Sequence, residues 1–159
     1  MKSLLILFAC LVGSGFGQQP SQAFWGTWNL DVAKSKFVSG NAPKGQQVIV
    51  NQNGYVMTTY PAVGEAQSRA VVFVGKGCYL IGPPDGAPPW SCTNNTNDSS
   101  RPRWNIKQGD AVIMKLEAEL VGPTSMTVKT TNQSSSTGPQ IISEAVYTKA
   151  TQPPVSTKK

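Results

Sequence analysis

From residue 24 onward, apolar and polar positions take turns. Trp28, Leu30 and Val32 stand against Asn29 and Asp31, a period of two that predicts a strand with one buried face. Gln46-Gln47-Val48-Ile49-Val50-Asn51-Gln52 and Tyr55-Val56-Met57-Thr58-Thr59-Tyr60 are β-prone runs joined by Asn53-Gly54. Asn-Gly in that position predicts a two-residue type I′ hairpin, whose central residues both need positive φ. The register then sets Gln52 opposite Tyr55. Val48 and Val50 fall on one face with Tyr55, Met57 and Thr59, and Ile49 falls with Val56 and Thr58 on the other.

Arg69-Ala70-Val71-Val72-Phe73-Val74 breaks the rule, being apolar without alternation. Such a run fits a strand covered on both faces or one with an apolar outer face, and periodicity does not choose between them. Short strands are predicted at Cys78–Ile81, Trp90–Cys92 and Arg103–Lys107. Val112, Met114, Leu116, Ala118 and Leu120 then alternate with Ile113, Lys115, Glu117 and Glu119. Helix propensity is high in this segment, yet apolar residues at every second position fit a strand better than a helical stripe. Met126–Thr130 and Ile141–Lys149 complete the set. The connections are rich in Gly, Pro, Asn and Ser, and Thr93–Ser100 reads as an exposed loop.

These eight to ten strands at hairpin spacing, with no convincing helix, predict an all-β barrel or sandwich. Closure into a barrel also removes exposed strand edges. The chain has 159 residues, of which 39% are hydrophobic and 14% charged, which fits one globular domain.

The ends read differently. Lys2, the apolar run Leu4–Val12 and the small residues up to Gly17 have the layout of a secretory signal, and the run is shorter than the about 20 apolar residues of a spanning helix. The expected organisation is a leader at 1–17, a flexible arm at 18–22, the barrel at 23–150 and a disordered tail at 151–159. The product is expected to be secreted, extracellular or periplasmic. Cys10 leaves open the alternative of a lipoprotein anchored through that residue.

Three cysteines are present, and cleavage leaves Cys78 and Cys92, an even number in an oxidising compartment. They are expected to pair around a Pro- and Gly-rich loop. With no histidine in the chain, two thiols do not complete a four-ligand zinc site, so no metal and no cofactor is expected. The formal charge of +6 is spread over the chain instead of forming a run with interleaved aromatics, which argues against nucleic acid. Asn94, Asn97 and Asn132 stand in glycosylation sequons, which matter only in a host that uses them.

Gly26-Thr27-Trp28-Asn29-Leu30-Asp31-Val32-Ala33-Lys34-Ser35-Lys36-Phe37, followed by Ala42-Pro43-Lys44, resembles the opening of small secreted bacterial proteins with a lipocalin-like barrel. Gly-Thr-Trp is similar to the lipocalin opening Gly-x-Trp. The closing segments Met126-Thr127-Val128 and Ala145-Val146-Tyr147-Thr148-Lys149 are similar to such a barrel's last hairpin. The resemblance implies an antiparallel up-and-down barrel whose early tryptophan plugs one end beneath a basic residue from a late strand. Lys149 is the candidate for that residue. The Cys78–Cys92 excursion departs from the pattern and looks inserted.

Enzyme chemistry finds little support in these residues. Histidine, the usual general base near neutral pH, is absent, and neither a phosphate-cradling loop nor a nucleophile elbow occurs. Glu117 and Glu119 read as solvated. The expected function is a secreted binding protein, not an enzyme, holding a small apolar ligand. Its lining would come from Trp28, Leu30, Val48, Val50, Tyr55, Met57, Val72, Val112, Met114, Leu116, Met126, Val128 and Tyr147. The same residues fit a barrel filled by its own side chains, since eight strands enclose little more than that. A second class is an extracellular interaction module, presumed monomeric like the first, that presents Trp90 on the bridged loop to a protein partner.

Overall fold

The computed structural model describes residues 20–38, 42–74, 77–81, 90–95 and 98–151. The expected leader, Cys10, residues 82–89 of the Pro-rich loop, Asn97 and the tail from 152 lie outside the described residues. The strands are β1 (Gly26–Leu30), β2 (Lys36–Phe37), β3 (Gly45–Asn51), β4 (Gly54–Tyr60), β5 (Gln67–Val74), β6 (Gly77–Ile81), β7 (Trp90–Asn94), β8 (Arg103–Gln108), β9 (Ala111–Leu120), β10 (Ser125–Asn132) and β11 (Gln140–Lys149). Helical structure among the described residues is limited to one 3-10 turn, Gln22–Phe24.

From β3 to β11 each strand pairs antiparallel with the next, and β1 pairs with both β3 and β11, so the sheet closes into an up-and-down barrel of ten strands. The short β2 lies further along β11, with Phe37 opposite Ser143, and continues β1 after an interruption. That interruption has a local cause. The Asp31 carboxylate accepts the Lys34 N–H (3.2 Å) and pairs with the Lys34 ammonium (2.9 Å), which holds its pKa below the usual carboxylate range. Ser35 Oγ–H donates to the Asp31 carbonyl and its oxygen accepts the Val146 N–H, so one hydroxyl ties the turn to β11.

The β3–β4 hairpin forms, but not in the expected register. Val50 faces Tyr55 and Asn51 faces Gly54, which leaves Gln52 and Asn53 as the two loop residues. Neither has positive φ, so the turn is not type I′. Asn51 Oδ1 accepts the Asn53 N–H (2.8 Å) and the Asn53 carbonyl accepts the Phe73 N–H (2.8 Å), so this turn is fixed by a side chain and by β5. The slip is two positions in the pairing, and since side chains alternate with period two the face assignments are unchanged. Gly54 takes φ +153°, and a Cβ there would stand 1.8 Å from the Val71 carbonyl oxygen.

Alternation also decides the outside. Across β8, β9, β10, β11 and β2 the outward residues Arg103, Glu117, Lys129, Glu144 and Lys36 lie directly opposite one another in sequence, a ladder of alternating sign. Within it Arg103 pairs with Glu117 at 3.4 Å, flanked by the Arg101–Glu119 pair at 2.5 Å. The opposite wall is apolar: Ile49, Val56, Ala70 and Ile81 form one row across β3–β6, and Val72 faces Tyr79 beside it. The unbroken apolarity of residues 70–74 thus reflects an apolar outer face. Thr93 and Asn94, expected in a loop, belong to β7, where Thr93 pairs with Gly77 and Asn105.

Cys78 and Cys92 form a disulfide between directly opposed residues of β6 and β7, with Cα atoms 4.9 Å apart. Both are buried. Reduction is expected to lower unfolding stability by about 3 kcal/mol, read as a lower urea midpoint with dithiothreitol than without it. Gly54→Ala is expected to cost on the order of 3 kcal/mol, because the turn must move away from Val71; chemical denaturation of the variant checks it.

Candidate functional site: the barrel interior

One end of the barrel is shut by the residues before β1. The 3-10 turn carries Phe24 into the core at 2% exposure, and Trp28 above it is fully buried. Trp28 Nε1–H donates to the Phe24 carbonyl (2.8 Å), so the plug is tied to the strand it precedes. The Lys149 ammonium sits 5.2 Å from the Trp28 ring centroid, within cation–π range, and reaches the Ala23 carbonyl at 3.4 Å. Gly26 makes room for that lysine. Its φ is +127°, and a Cβ would meet Lys149 Cε at 3.0 Å. Ser21, in the stretch expected to be a flexible arm, donates its N–H to the Ser99 carbonyl (3.2 Å), and Pro20 is buried.

Above the plug the interior is not filled. A chamber of about 90 Å³ lies against Pro20, Phe24, Val48, Val50, Phe73, Trp104, Ala118 and Met126. A second, of about 210 Å³, lies toward the other end between Met57, Arg69, Val71, Leu80, Trp90, Ile106, Met114 and the Cys78–Cys92 bridge. Tyr55 and Leu116 belong to the walls of both. A vestibule of about 570 Å³ at the end away from the plug is lined by Phe37, Pro43, Gln46, Thr59, Val63 and Ser143, and it shares Val128 and Tyr147 with the first chamber and Thr130 with the second. Phe73 stacks with Trp104 at 6.4 Å and meets Tyr55 at 6.3 Å, an aromatic group beside the passage between the chambers.

A few polar groups point into this apolar space. The Tyr147 hydroxyl donates to Gln46 Oε1, and Gln46 Nε2–H donates to Thr59 Oγ1 (2.7 Å). Tyr55 is enclosed by protein, but it keeps accessible surface, and that surface opens on the two chambers. Burial pushes its phenol up to about 12; burial, and secondarily the Tyr55 charge, raise that of Tyr147. Arg69, opposite Met57, lines the second chamber with no ion-pair partner among the described residues. Trp90 Nε1–H is buried there without an acceptor. Trp90 is therefore not an anchor at a loop tip: it opens β7 and faces inward with Cys92.

The structure distributes the expected lining as follows. Val48, Val50, Met126, Val128 and Tyr147 stand on the first chamber, Met57 and Met114 on the second, and Tyr55 and Leu116 on both. Trp28 and Leu30 lie in the core around the plug, off the chamber walls. Val72 faces outward opposite Tyr79, and its neighbours Val71 and Phe73 take the inner positions. Val112 is displaced by a bulge: Met114 pairs with Ile106, but Val112 pairs with Lys107, so the alternation changes phase at Ile113. Phe24, Phe73, Trp104, Ile106, Trp90 and Arg69 were not among the expected lining. For β5 the missing signal was available, because the disulfide faces inward and Cys78 pairs with Phe73.

Fold and interior together define a class: a closed ten-stranded antiparallel barrel, plugged at one end, with apolar chambers inside. Compared with protein-family models, curated proteins and solved structures, the chain finds no match in any of the three. Among the described residues no three His, Cys, Asp or Glu side chains gather as a metal site, and no helix is long and apolar enough to cross a membrane.

The tyrosines carry a pH dependence. Both raised phenols bind protons more tightly in the folded state, so their contribution is complete below the ordinary tyrosine value of 10 and is lost as pH rises toward 12. The urea midpoint is expected to fall between pH 9.5 and about 11.5, and Tyr55→Phe is expected to reduce that fall.

Proposed function

We propose that this protein is a secreted lipocalin-like carrier that holds a small apolar molecule inside the barrel. The observation that carries this reading is the unfilled interior: two adjoining chambers walled by Val48, Tyr55, Met57, Phe73, Met114 and Leu116 above a sealed end. Concave apolar space with a few placed polar groups is the usual form of a small-molecule site. Methionines in the wall suit it to ligands of varied shape, since the thioether chain repacks at low cost. Entry is through the vestibule, because Trp28, Phe24 and Lys149 occupy the other end.

Secretion is supported by the disulfide, a bond that persists in oxidising compartments, and by the leader pattern at the start of the chain. The lysine over Trp28 fits the arrangement that the lipocalin-like resemblance implies. A protein-partner role through Trp90 loses its support, since that ring lies in the chamber wall.

Native mass spectrometry of the mature secreted protein, followed by denaturation and solvent extraction, tests the carrier reading. A reproducible apolar small molecule bound one to one is the expected result. An empty protein that also leaves fluorescent apolar probes unbound overturns it.

A further inference from the structure

Two N–H donor groups on the second chamber, the Arg69 guanidinium and the Trp90 indole, have no anionic partner and no acceptor, respectively, among the described residues. Arg69 projects into it from β5, opposite Met57 on β4 and beside Val71. Among the described residues no Asp or Glu lines this chamber, and Arg69 has no ion-pair partner. Asp31, Glu117 and Glu119 are paired on the outer surface with Lys34, Arg103 and Arg101. A guanidinium cannot shed its charge by losing a proton, so in apolar surroundings it needs water or an anion. Trp90 Nε1–H is a second donor in the same wall, buried and without an acceptor. The rest of the described wall is mostly thioether and hydrocarbon, from Met57, Val71, Leu80, Ile106 and Met114, with the hydroxyl residues Ser91 and Thr130, and it leads past Tyr55 and Leu116 into a chamber with no charged residue among its described lining.

We infer that the ligand is a single-chain amphipathic carboxylate, its head group held by the Arg69 guanidinium and its hydrocarbon chain running past Tyr55 and Leu116 toward the plug. This inference rests on the carrier reading and specifies the ligand for the same interior. A carboxylate supplies two acceptor oxygens to the planar guanidinium fork, and a charge-assisted pair of that geometry is strong where water is scarce. The head group also offers an acceptor on the side of the Trp90 indole. A neutral alcohol of equal chain length fills the same apolar space but leaves Arg69 without a counter-charge.

Isothermal titration of the mature, ligand-stripped protein with decanoate and with 1-decanol separates the two ideas. Decanoate is expected to bind about 10- to 100-fold more tightly than decanol, the ratio for a hydrogen bond to a charged group. Arg69→Gln is expected to remove that preference, read as a decanoate-to-decanol affinity ratio near one, with near-ultraviolet circular dichroism and the melting temperature confirming its fold. Equal affinity for decanoate and decanol in the unaltered protein overturns the carboxylate inference and leaves the carrier reading standing, an outcome that needs no variant. Failure of both ligands to bind overturns the carrier reading and this inference with it. Leu116→Trp, which narrows the passage, is expected to weaken both ligands; if it weakens neither, the proposed path of the chain is wrong.

Discussion

Closure of the ring at Trp28 and Lys149 is the constraint on which the rest of the barrel depends. These residues face one another where β1 meets β11, so the contact that completes the ladder also seals one end. Trp28 is fully buried, its indole N–H satisfied by the Phe24 carbonyl and its ring face covered by a cation. A ten-stranded sheet without that closure would expose two strand edges and open the hydrophobic interior to water at the bottom. The glycine two residues before Trp28 belongs to the same device, because it admits both the turn out of the plug and the overlying lysine stem.

With one end sealed, strand number decides what the interior can hold. Eight strands enclose a space that side chains fill or that takes one small ligand, and diameter grows with each added strand. Here a ring of ten leaves two chambers even though tryptophan, phenylalanine, tyrosine and methionine all point inward. The inward polar groups fall into two sets. Gln46, Thr59 and Tyr147 satisfy one another near the vestibule, a pattern of internal stabilisation. Arg69 and the Trp90 indole N–H both stand on the second chamber and, among the described residues, have no ion-pair partner and no acceptor, respectively.

The outer surface is equally divided. One wall carries a cross-strand ladder of alternating charge, and the other carries Ile49, Val56, Ala70 and Ile81 in a continuous row. On the charged wall an opposite-charge neighbour penalises any register slip. The apolar wall has no such guide, and there the disulfide between Cys78 and Cys92 pins β6 to β7. Covalent register control stands where side-chain pairing is least discriminating.

Period-two alternation by itself determined the all-β class, most strand positions and the inward faces of β3, β4 and β10, because each of these strands has one apolar and one polar side. It also carried β9 as a strand against its helical propensity. Where both faces were apolar, as in residues 70–74, the same rule lost its phase, and Val72 was placed inside where Val71 and Phe73 stand. A single extra residue at Ile113 likewise turned Val112 away, since a bulge leaves no mark in hydrophobicity. The turn at residues 52–53 was decided by the Asn51 side chain and by Phe73, a partner twenty residues on, over the local preference of Asn-Gly. Ring closure, the unfilled chambers and the place of Arg69 on a chamber wall arise from contacts between strands distant in the chain, so only the tertiary structure could decide them.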